Sequence, residues 1–304
     1  MKKIFLIKKD FANSRFDRWF RKNVSDVPQS LIEKNIRKGN IKVNNKKEKS
    51  SYKLKENDQI SLFKEKFEAN KHKVVNKKYV ATKKDLHKSS SIFIENNENF
   101  VVINKPAGIA VQSGTKSKRN IIDILRHTKE FEGFLPYTVH RIDKETTGIF
   151  IVAKNREYAQ LFTSLFRIRK IHKTYLGIVL GELQENKGTL KDDLIYYENQ
   201  KKIKASAITH YKVLDSNNNY SLLKLNPVTG KKHQLRKQLL MHGNPIIGDS
   251  KYRISNNSLN KKNSLMLHAY QINFSIAGIK YNFSAELPQP FKKTLKEKYL
   301  KTFQ

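Results

Sequence analysis

Polar and charged side chains are concentrated in residues 138–148, directly before the apolar run 148–153. A polar cluster that ends on a glycine at the start of a strand is typical of a loop that presents side chains into a cleft. Asp143 lies in this loop, and a carboxylate in a cleft can act as a nucleophile or as a general base. A single aspartate in a loop is more often a turn former or a helix cap, however. The segment is therefore a candidate catalytic loop whose chemistry depends on the segments that accompany it.

Residues 138–148 (TVHRIDKETTG) resemble the HRLD-x-x-TSG signature of RluA-family pseudouridine synthases, with Ile142 for Leu and Thr147 for Ser. Further segments resemble other parts of that family in the family's order. They are its opening strand and turn at 99–108 (NFVVINKPAG), its active-site tyrosine segment at 173–176 (KTYL), its G-R-x-H-Q-[IL]-R helix and following loop at 228–236 (VTGKKHQLR) and 243–249 (GNPIIGD), and its final core strand at 267–269 (LHA). The chain is identified as a member of this family over about residues 92–288.

The resemblance implies an isomerisation of uridine in RNA. Uracil is detached from C1′ of the ribose, turned, and rejoined through C5, without cofactor, metal or energy source. Asp143 is the implied catalytic carboxylate, and it is left open whether it acts as a nucleophile or as a base on the sugar. Arg236 is the implied cation that keeps this carboxylate ionised.

Tyr175 is the implied aromatic residue that stacks on the detached base, and its hydroxyl could also help to remove the C5 proton. Taken alone, a tyrosine on a strand is usually a core residue, and an arginine on a helix is usually solvated. Only the shared order of the motifs supports the roles of Tyr175 and Arg236.

A uridine inside folded RNA must leave its stack before it can react, at a cost of about a few kcal/mol. Arg141 resembles the family arginine that fills the vacated position. We also expect RNA contacts from His140, Lys231, Lys232 and His233. For His140 and His233 the alternative is a hydrogen-bonding role that shapes the loop and the helix.

A metal site is a weaker interpretation of the histidines. The four that could be grouped are His140, His233, His242 and His268. Their spacing is not typical of a metal site, and no carboxylates stand at positions that would support one. We therefore expect neither a metal nor a cofactor.

The chain is strongly basic, with 61 Lys and Arg against 27 Asp and Glu and a formal net charge of +34. Such an excess attracts polyanions, above all nucleic acid. Only 12 of the basic residues are arginine, so an AT-rich genome is an alternative source of the abundant lysine and asparagine. Residues 1–91 hold 26 basic and 10 acidic residues, and the other 213 hold 35 and 17. The first third therefore has about twice the charge density, as expected of a nucleic-acid-binding module.

The chain contains no cysteine, which excludes disulfides, iron–sulfur clusters and thiolate zinc sites. No apolar run approaches the roughly 20 residues that cross a bilayer. The run 4–7 is too short for a signal peptide, and no small-residue cleavage site follows it. We therefore expect a cytoplasmic protein without membrane partners.

Residues 1–63 predict a small α/β domain with its core at 14–63. A strand at 4–7, a helix at 15–22, a helix that begins at Pro28 and stops at Gly39, and strands at 41–44 and 59–63 are expected. The segments 16–20, 36–44, 51–54 and 57–60 resemble an S4 RNA-binding domain, although the usual Leu after Arg15 is Phe16; the alternative is a generic basic helical domain. The resemblance implies phosphate contacts from Lys34, Arg37, Lys38 and Lys42. The lysine-rich residues 64–91 predict a solvated linker.

Residues 92–304 predict an α+β catalytic domain with a mixed or antiparallel sheet, because many strands occur with few helices and little βαβ regularity. The expected strands are 100–103, 148–153, 175–180, 205–213, 220–225, 267–274 and 280–283, and the expected helices are 121–128, 156–166 and 231–242.

An S4 domain joined to such a catalytic domain resembles the RluC and RluD subgroups, and the GKKHQLR variant is most similar to RluC. This resemblance implies large-subunit (23S) ribosomal RNA, or a pre-ribosomal particle, as the partner of a monomeric enzyme. Lys231 replaces the usual Arg, and Lys237-Gln238 replace an apolar residue and His, which leaves the identity of the RNA substrate open. A tRNA-directed synthase is one alternative, within the same class. An inactive ribosome-associated RNA-binding factor is another, disfavoured by the intact Asp143, Tyr175 and Arg236.

Overall fold

The computed structural model describes residues 3–8, 11–63, 79–82, 85–86, 91–113, 119–198, 201–254 and 264–301. The chain divides into two compact units, Met1–Lys77 and Lys78–Gln304. Each unit has its own hydrophobic core.

The first unit contains two helices and a three-stranded antiparallel sheet. The elements are β1 (Lys3–Leu6), α1 (Phe16–Asn23), α2 (Gln29–Arg37), β2 (Ile41–Val43) and β3 (Gln59–Leu62), and the strand order is β1-β3-β2. Phe16, Trp19 and Phe20 share one face of α1 and are buried. Gly39 has a φ of +77°, the left-handed conformation that lets the chain turn from α2 into β2. The five elements expected from the sequence are all present, and the identification as an S4 domain remains a prediction.

The predicted linker, residues 64–91, lies mostly outside the described residues. The prediction is wrong for the described part around Asp85, whose side chain is 5% exposed. This carboxylate accepts hydrogen bonds from the hydroxyls of Tyr79 and Thr82 and forms an ion pair with Arg119. A carboxylate with so many donors is stable away from water, so this stretch packs as part of the second unit instead of being solvated.

The second unit is an α+β domain built on one ten-stranded mixed sheet, as expected. Its strands are β4 (Phe93–Asn96), β5 (Phe100–Lys105), β6 (Tyr137–Thr138), β7 (Thr147–Ala153), β8 (His172–Leu180), β9 (Lys187–Glu198), β10 (Lys201–Asn217), β11 (Tyr220–Pro227), β12 (Leu267–Ile276) and β13 (Ile279–Ser284). The order is β4-β5-β7-β12-β8-β11-β10-β9, with β13 paired to β12 and β6 to β7. Only β7 and β12 pair in parallel among the described strands.

Four α-helices of five or more residues accompany this sheet in the described part of the unit: α3 (Ile121–Leu125), α4 (Arg156–Arg167), α5 (Gln234–Met241) and α6 (Gln289–Glu297), and Lys129–Phe131 form a short 3-10 helix. Phe162 of α4 packs edge-on against Phe100 of β5 and Phe274 of β12. Leu239 of α5 and Leu295 of α6 belong to a second cluster of buried side chains. The helices therefore close the apolar faces of the sheet, as the sheet's buried central strands require.

The parallel contact between β7 and β12 depends on Gly148. Gly148 pairs with Ala269 and has a φ of +104°. A Cβ atom at this position would lie 2.2 Å from the carbonyl oxygen of Ala269. Only glycine allows this backbone approach, which places the loop before β7 at the centre of the sheet.

Candidate active site

A cleft of about 560 Å³ lies beside the start of β7, where the predicted catalytic loop enters the sheet. Its walls are the loop 139–143, the turn from α4 into β8, and the segment from the end of β11 into α5. Asp143, Tyr175 and Arg236, which are far apart in the sequence, all line it. The sheet order explains this convergence, because β7, β12, β8 and β11 are successive neighbours.

Asp143 and Arg236 form an ion pair. Nη1 of Arg236 donates a hydrogen bond of 3.0 Å to Oδ2 of Asp143. The Arg236 side chain is 8% exposed and that of Asp143 is 23% exposed, so the pair is shielded from bulk water but reachable from the cleft. A fixed cation beside a half-buried carboxylate holds that carboxylate in one orientation at the cleft.

Asp249 holds the other side of the same guanidinium. Its two oxygens accept hydrogen bonds from Nε and Nη2 of Arg236, at 2.7 and 2.8 Å, and its side chain is fully buried. Its Oδ1 also accepts from the backbone amides of Lys251 and Tyr252. Asp249 was not among the site residues predicted from the sequence, although it ends the motif segment 243–249, which is the signal that could have marked it.

Tyr175 lies on β8 opposite Ala269 of β12 and Leu225 of β11. Burial, and to a lesser degree the negative charge of Asp143, raises the pKa of the Tyr175 hydroxyl. The hydroxyl therefore keeps its proton at neutral pH. A half-buried aromatic ring in the same cleft as Asp143 is suited to stacking on a flat base.

Lys105, the last residue of β5, is hydrogen-bonded to the backbone of the predicted catalytic loop. Its fully buried Nζ donates hydrogen bonds to the backbone oxygens of Pro106, Ile109 and Lys144, at 2.8, 3.0 and 3.1 Å. Burial lowers its pKa to about 7, opposed by the charges of Glu145 and Asp143. Because Lys144 follows Asp143 directly, this amine anchors the backbone next to the carboxylate.

His140 is built into the packing of the loop. Its Nε2 accepts a hydrogen bond of 2.8 Å from the amide of Ile151, and its ring stacks on Phe166 with 4.6 Å between centroids. Burial lowers its pKa to about 3, so the ring is neutral at physiological pH. A contact between His140 and RNA stays a prediction. Nε2 already accepts the hydrogen bond from Ile151, so the structure has this ring in the loop-shaping role given as the alternative.

His268 fixes the start of β7. Its Nδ1 lies 2.8 Å from the hydroxyl of Thr147, and its Nε2 lies 3.2 Å from the carbonyl oxygen of Ala285. A carbonyl only accepts, so Nε2 carries the proton and Nδ1 accepts from Thr147. Burial lowers the pKa of His268 to about 4.

His233 directly precedes α5, the helix that carries Arg236, and lies close to Asp143. The predicted helix 231–242 begins only at Gln234, because His233 has a φ of 54° and a ψ of 31° in the left-handed region. Its Nε2 lies 3.6 Å from Oδ1 of Asp143, and its Nδ1 lies 2.9 Å from the hydroxyl of Tyr252. Burial lowers the pKa of His233.

Several basic side chains line the cleft. Arg141, Lys231 and His233, expected from the sequence to contact RNA, line it, and Lys232 is exposed beside them. Further lining cations, which were not predicted from the sequence, are Arg167 at the end of α4, Arg169 in the turn that follows and Lys173 near the start of β8. Four of the chain's 12 arginines thus line one cleft, which lysine-rich composition alone does not explain.

In the first unit, Lys34, Arg37 and Lys38 are exposed at the C-terminal end of α2. Nζ of Lys42 lies 5.3 Å from the centre of the Phe63 ring. Three of these residues therefore lie at the end of α2 and the fourth lies in β2, the strand that follows. Their contact with RNA stays a prediction.

The four histidines considered as a metal site are engaged separately. His140, His233 and His268 have the partners given above, and His242 lies 3.1 Å from Asp192. Within the described ranges no group of three or more His, Asp or Glu side chains is arranged to hold a metal ion. In the same part of the chain, no helix combines the length and the apolar character that crossing a membrane requires.

Comparison with known proteins finds relatives that cover most of this chain. The family profile described as RNA pseudouridylate synthase matches residues 99–241. The ribosomal large subunit pseudouridine synthase C of Rickettsia bellii is 33% identical over 299 residues, which cover 92% of this chain and 96% of that protein. The protein of the same name from Buchnera aphidicola subsp. Schizaphis graminum is 32% identical and covers 96% of each chain.

Among solved structures, human RNA pseudouridylate synthase domain containing 4 superposes with a TM-score of 0.62 at 26% identity. The match covers 71% of this chain and 96% of the human chain. The relatives span nearly the whole chain, the solved structure covers most of it, and the profile covers the segments that bring Asp143, Tyr175 and Arg236 together. The chain belongs to the RNA pseudouridine synthase family, in the branch of the RluC-type enzymes.

Proposed function

We propose that this protein converts specific uridines of large-subunit (23S) ribosomal RNA to pseudouridine. The observation that carries the proposal is the ion pair between Asp143 and Arg236 at 3.0 Å, half-shielded in a cleft that Tyr175 also lines. The near full-length relatives named for the ribosomal large subunit support the choice of RNA.

Asp143 is proposed to act on the ribose, as the nucleophile at C1′ or as a base on the sugar, while the bond between C1′ and N1 breaks. Arg236 holds the carboxylate in one orientation through the hydrogen bond to Oδ2. Tyr175 stacks on the detached uracil while it turns to present C5. The new bond joins C1′ to C5, and any bond between C1′ and Asp143 breaks in the same step. The C5 proton then leaves to restore the conjugated ring, and N1 takes up a proton, so that the product is an isomer of uridine.

The cleft admits one extruded nucleotide, and a uridine must be flipped out of its stack to reach Asp143. Arg141 is exposed at the cleft, and no hydrogen bond or ion pair of its side chain occurs within the described residues. A cation free in this position can enter the stack that the uridine leaves. Arg167, Arg169, Lys173, Lys231 and Lys232 are proposed to bind the flanking phosphates.

A ribosomal substrate implies that the enzyme works in the cytoplasm, where ribosomal RNA is processed, and we expect it to act as a monomer. A tRNA substrate is the alternative. The experiment is to map pseudouridines in ribosomal and transfer RNA from a strain that lacks the gene, and from that strain expressing the wild type or Asp143→Asn.

We expect sites in 23S ribosomal RNA to disappear and to return only with the wild type. Loss confined to tRNA would overturn the substrate assignment. Restoration of the sites by Asp143→Asn would overturn the catalytic assignment, because this change removes the charge with almost no change in volume.

A further inference from the structure

Tyr252 and His233 form a pair that the catalytic trio does not include. Tyr252 follows the Asp249 loop, and its backbone amide donates a hydrogen bond of 2.9 Å to Oδ1 of Asp249. The guanidinium carbon of Arg236 lies 5.1 Å from the centre of the Tyr252 ring. Asp249 therefore holds both the backbone of Tyr252 and the guanidinium of Arg236. The Tyr252 hydroxyl lies 2.9 Å from Nδ1 of His233.

The direction of this hydrogen bond follows from the surroundings of the imidazole. Burial lowers the pKa of His233, so the ring is neutral at physiological pH and carries one proton, on either Nδ1 or Nε2. Nε2 lies 3.6 Å from the negatively charged Oδ1 of Asp143. A proton on Nε2 is attracted to that oxygen, whereas a lone pair on Nε2 would be repelled by it.

The hydroxyl of Tyr252 completes this tautomer. Burial is the largest influence on its pKa, which is raised, so the hydroxyl keeps its proton and can donate to Nδ1. Both neighbours of the imidazole thus favour the same proton position. Holding His233 in the left-handed backbone conformation is unfavourable for a residue with a Cβ, and such conformations are concentrated at functional sites.

We propose that Tyr252 fixes the tautomer of His233 that presents Nε2–H to Asp143, and that His233 and Arg236 together orient the two oxygens of this carboxylate for its action on the ribose. Arg236 holds Oδ2 and His233 faces Oδ1, and both donors come from the start of α5. His233 is then a positioning residue, and Tyr252 acts through it. The inference rests on the proposed function, but the tautomer itself can be measured without RNA.

The first experiment is ¹⁵N NMR of the full-length protein labelled at histidine, with the His233 resonances assigned by their loss in His233→Gln. We expect an unprotonated Nδ1 and a protonated Nε2 in the wild type. In Tyr252→Phe the preference should weaken, with signal of the other tautomer appearing. A wild-type ring protonated on Nδ1 would overturn the proposal whatever the enzyme's activity proves to be.

The second experiment measures single-turnover rates at saturating RNA and, separately, the RNA concentration at half-saturation. Tyr252→Phe should lower the rate about threefold to tenfold, the effect of one ordinary hydrogen bond, and leave half-saturation unchanged. In His233→Gln the side-chain amide supplies an N–H donor that needs no tautomer. Tyr252→Phe should therefore change the rate of His233→Gln by less than about twofold.

Tyr299→Phe is the matched control, because Tyr299 is 91% exposed and outside the cleft. Equal losses from Tyr252→Phe in the wild-type and His233→Gln backgrounds would show that the two residues act separately and would overturn the proposal. A loss confined to half-saturation would assign them to RNA binding, with the same consequence. If the wild type modifies no uridine, the proposed function fails, and the NMR result still decides the tautomer.

Discussion

Asp249 accepts hydrogen bonds of 2.7 and 2.8 Å from Nε and Nη2 of Arg236. The third guanidinium nitrogen, Nη1, donates to Asp143. One arginine thus bridges two carboxylates, one fully buried and one open to the cleft. The buried carboxylate sets the position of the arginine, and the arginine sets the position of the exposed one.

Asp249→Asn should lower both stability and catalysis, because an amide offers only one acceptor where the guanidinium needs two. Breaking one side of a buried ion pair costs about 3–5 kcal/mol, so we expect the free energy of unfolding to fall by that order. The single-turnover rate should fall at least about tenfold, since Nη1 is no longer held toward Asp143. Denaturant unfolding and rapid-quench kinetics measure the two effects.

Asp193→Asn is the control for this change. Asp193 pairs with Lys204 at 3.0 Å, but both side chains are at least half exposed, so the loss should stay within about 1 kcal/mol. An Asp249→Asn enzyme with wild-type stability and rate would contradict the bridging role.

Arg141→Ala separates base flipping from bond chemistry. If the exposed Arg141 side chain fills the position that the uridine leaves, its loss should be most harmful on structured RNA, where stacking opposes extrusion. On a short unstructured oligonucleotide the defect should shrink, by about a few kcal/mol or less. Single-turnover rates on both RNAs decide this. Equal defects together with a reduced salt dependence would mean that Arg141 only contacts phosphate.

Lys34, Arg37 and Lys38 test the first unit as an RNA-binding module. Replacing all three by alanine should weaken RNA binding and flatten its salt dependence. Each side chain that no longer neutralises a phosphate should reduce the steepness of the log–log slope by roughly 0.7 for single strands and 0.9 for duplex. The rate at saturating RNA should remain close to that of the wild type.

The charge-matched control for this triple change replaces the exposed Lys280, Lys293 and Lys296 of the second unit. If both triple variants reduce the salt dependence equally, the first unit contributes only general positive charge, and its role as an RNA-binding module is contradicted.

His268 makes stability sensitive to acid. Its pKa is about 4 in the folded protein and 6.5 ordinarily. Above pH 6.5 the His268 imidazole is neutral in both the folded and the unfolded protein. Below pH 6.5 it binds a proton in the unfolded chain, whereas in the folded protein it stays neutral until the pH approaches 4. The free energy of unfolding should therefore fall as the pH drops through this window, by up to about 3 kcal/mol.

His268→Gln should reduce this fall, and replacing the exposed His127 by glutamine should not. Buried His140, whose pKa is about 3, adds a fall of its own over the same window, so part of the acid sensitivity should persist. Denaturant unfolding between pH 7 and 4 measures it. An unchanged pH dependence in His268→Gln would contradict the buried neutral state.

The elements of both units were predictable wherever burial follows a local period. Phe16, Trp19 and Phe20 recur at helical spacing and form the buried face of α1. The run 148–153 is apolar throughout, and every residue of β7 is buried. β9 was missed because Lys191, Asp192 and Asp193 interrupt its alternation, and it forms because twelve of its residues pair with β10.

The chain by itself determined the residue types of the site: the order of its motifs identified Asp143, Tyr175 and Arg236. Only the tertiary structure decided which of their atoms meet. Asp143 and Arg236 are 93 residues apart, and their contact depends on the parallel pairing of β7 with β12. The contacts of Asp249 and Tyr252 became visible only in the tertiary structure. A hydrogen bond between two separate segments produces no periodic pattern in the sequence of either segment.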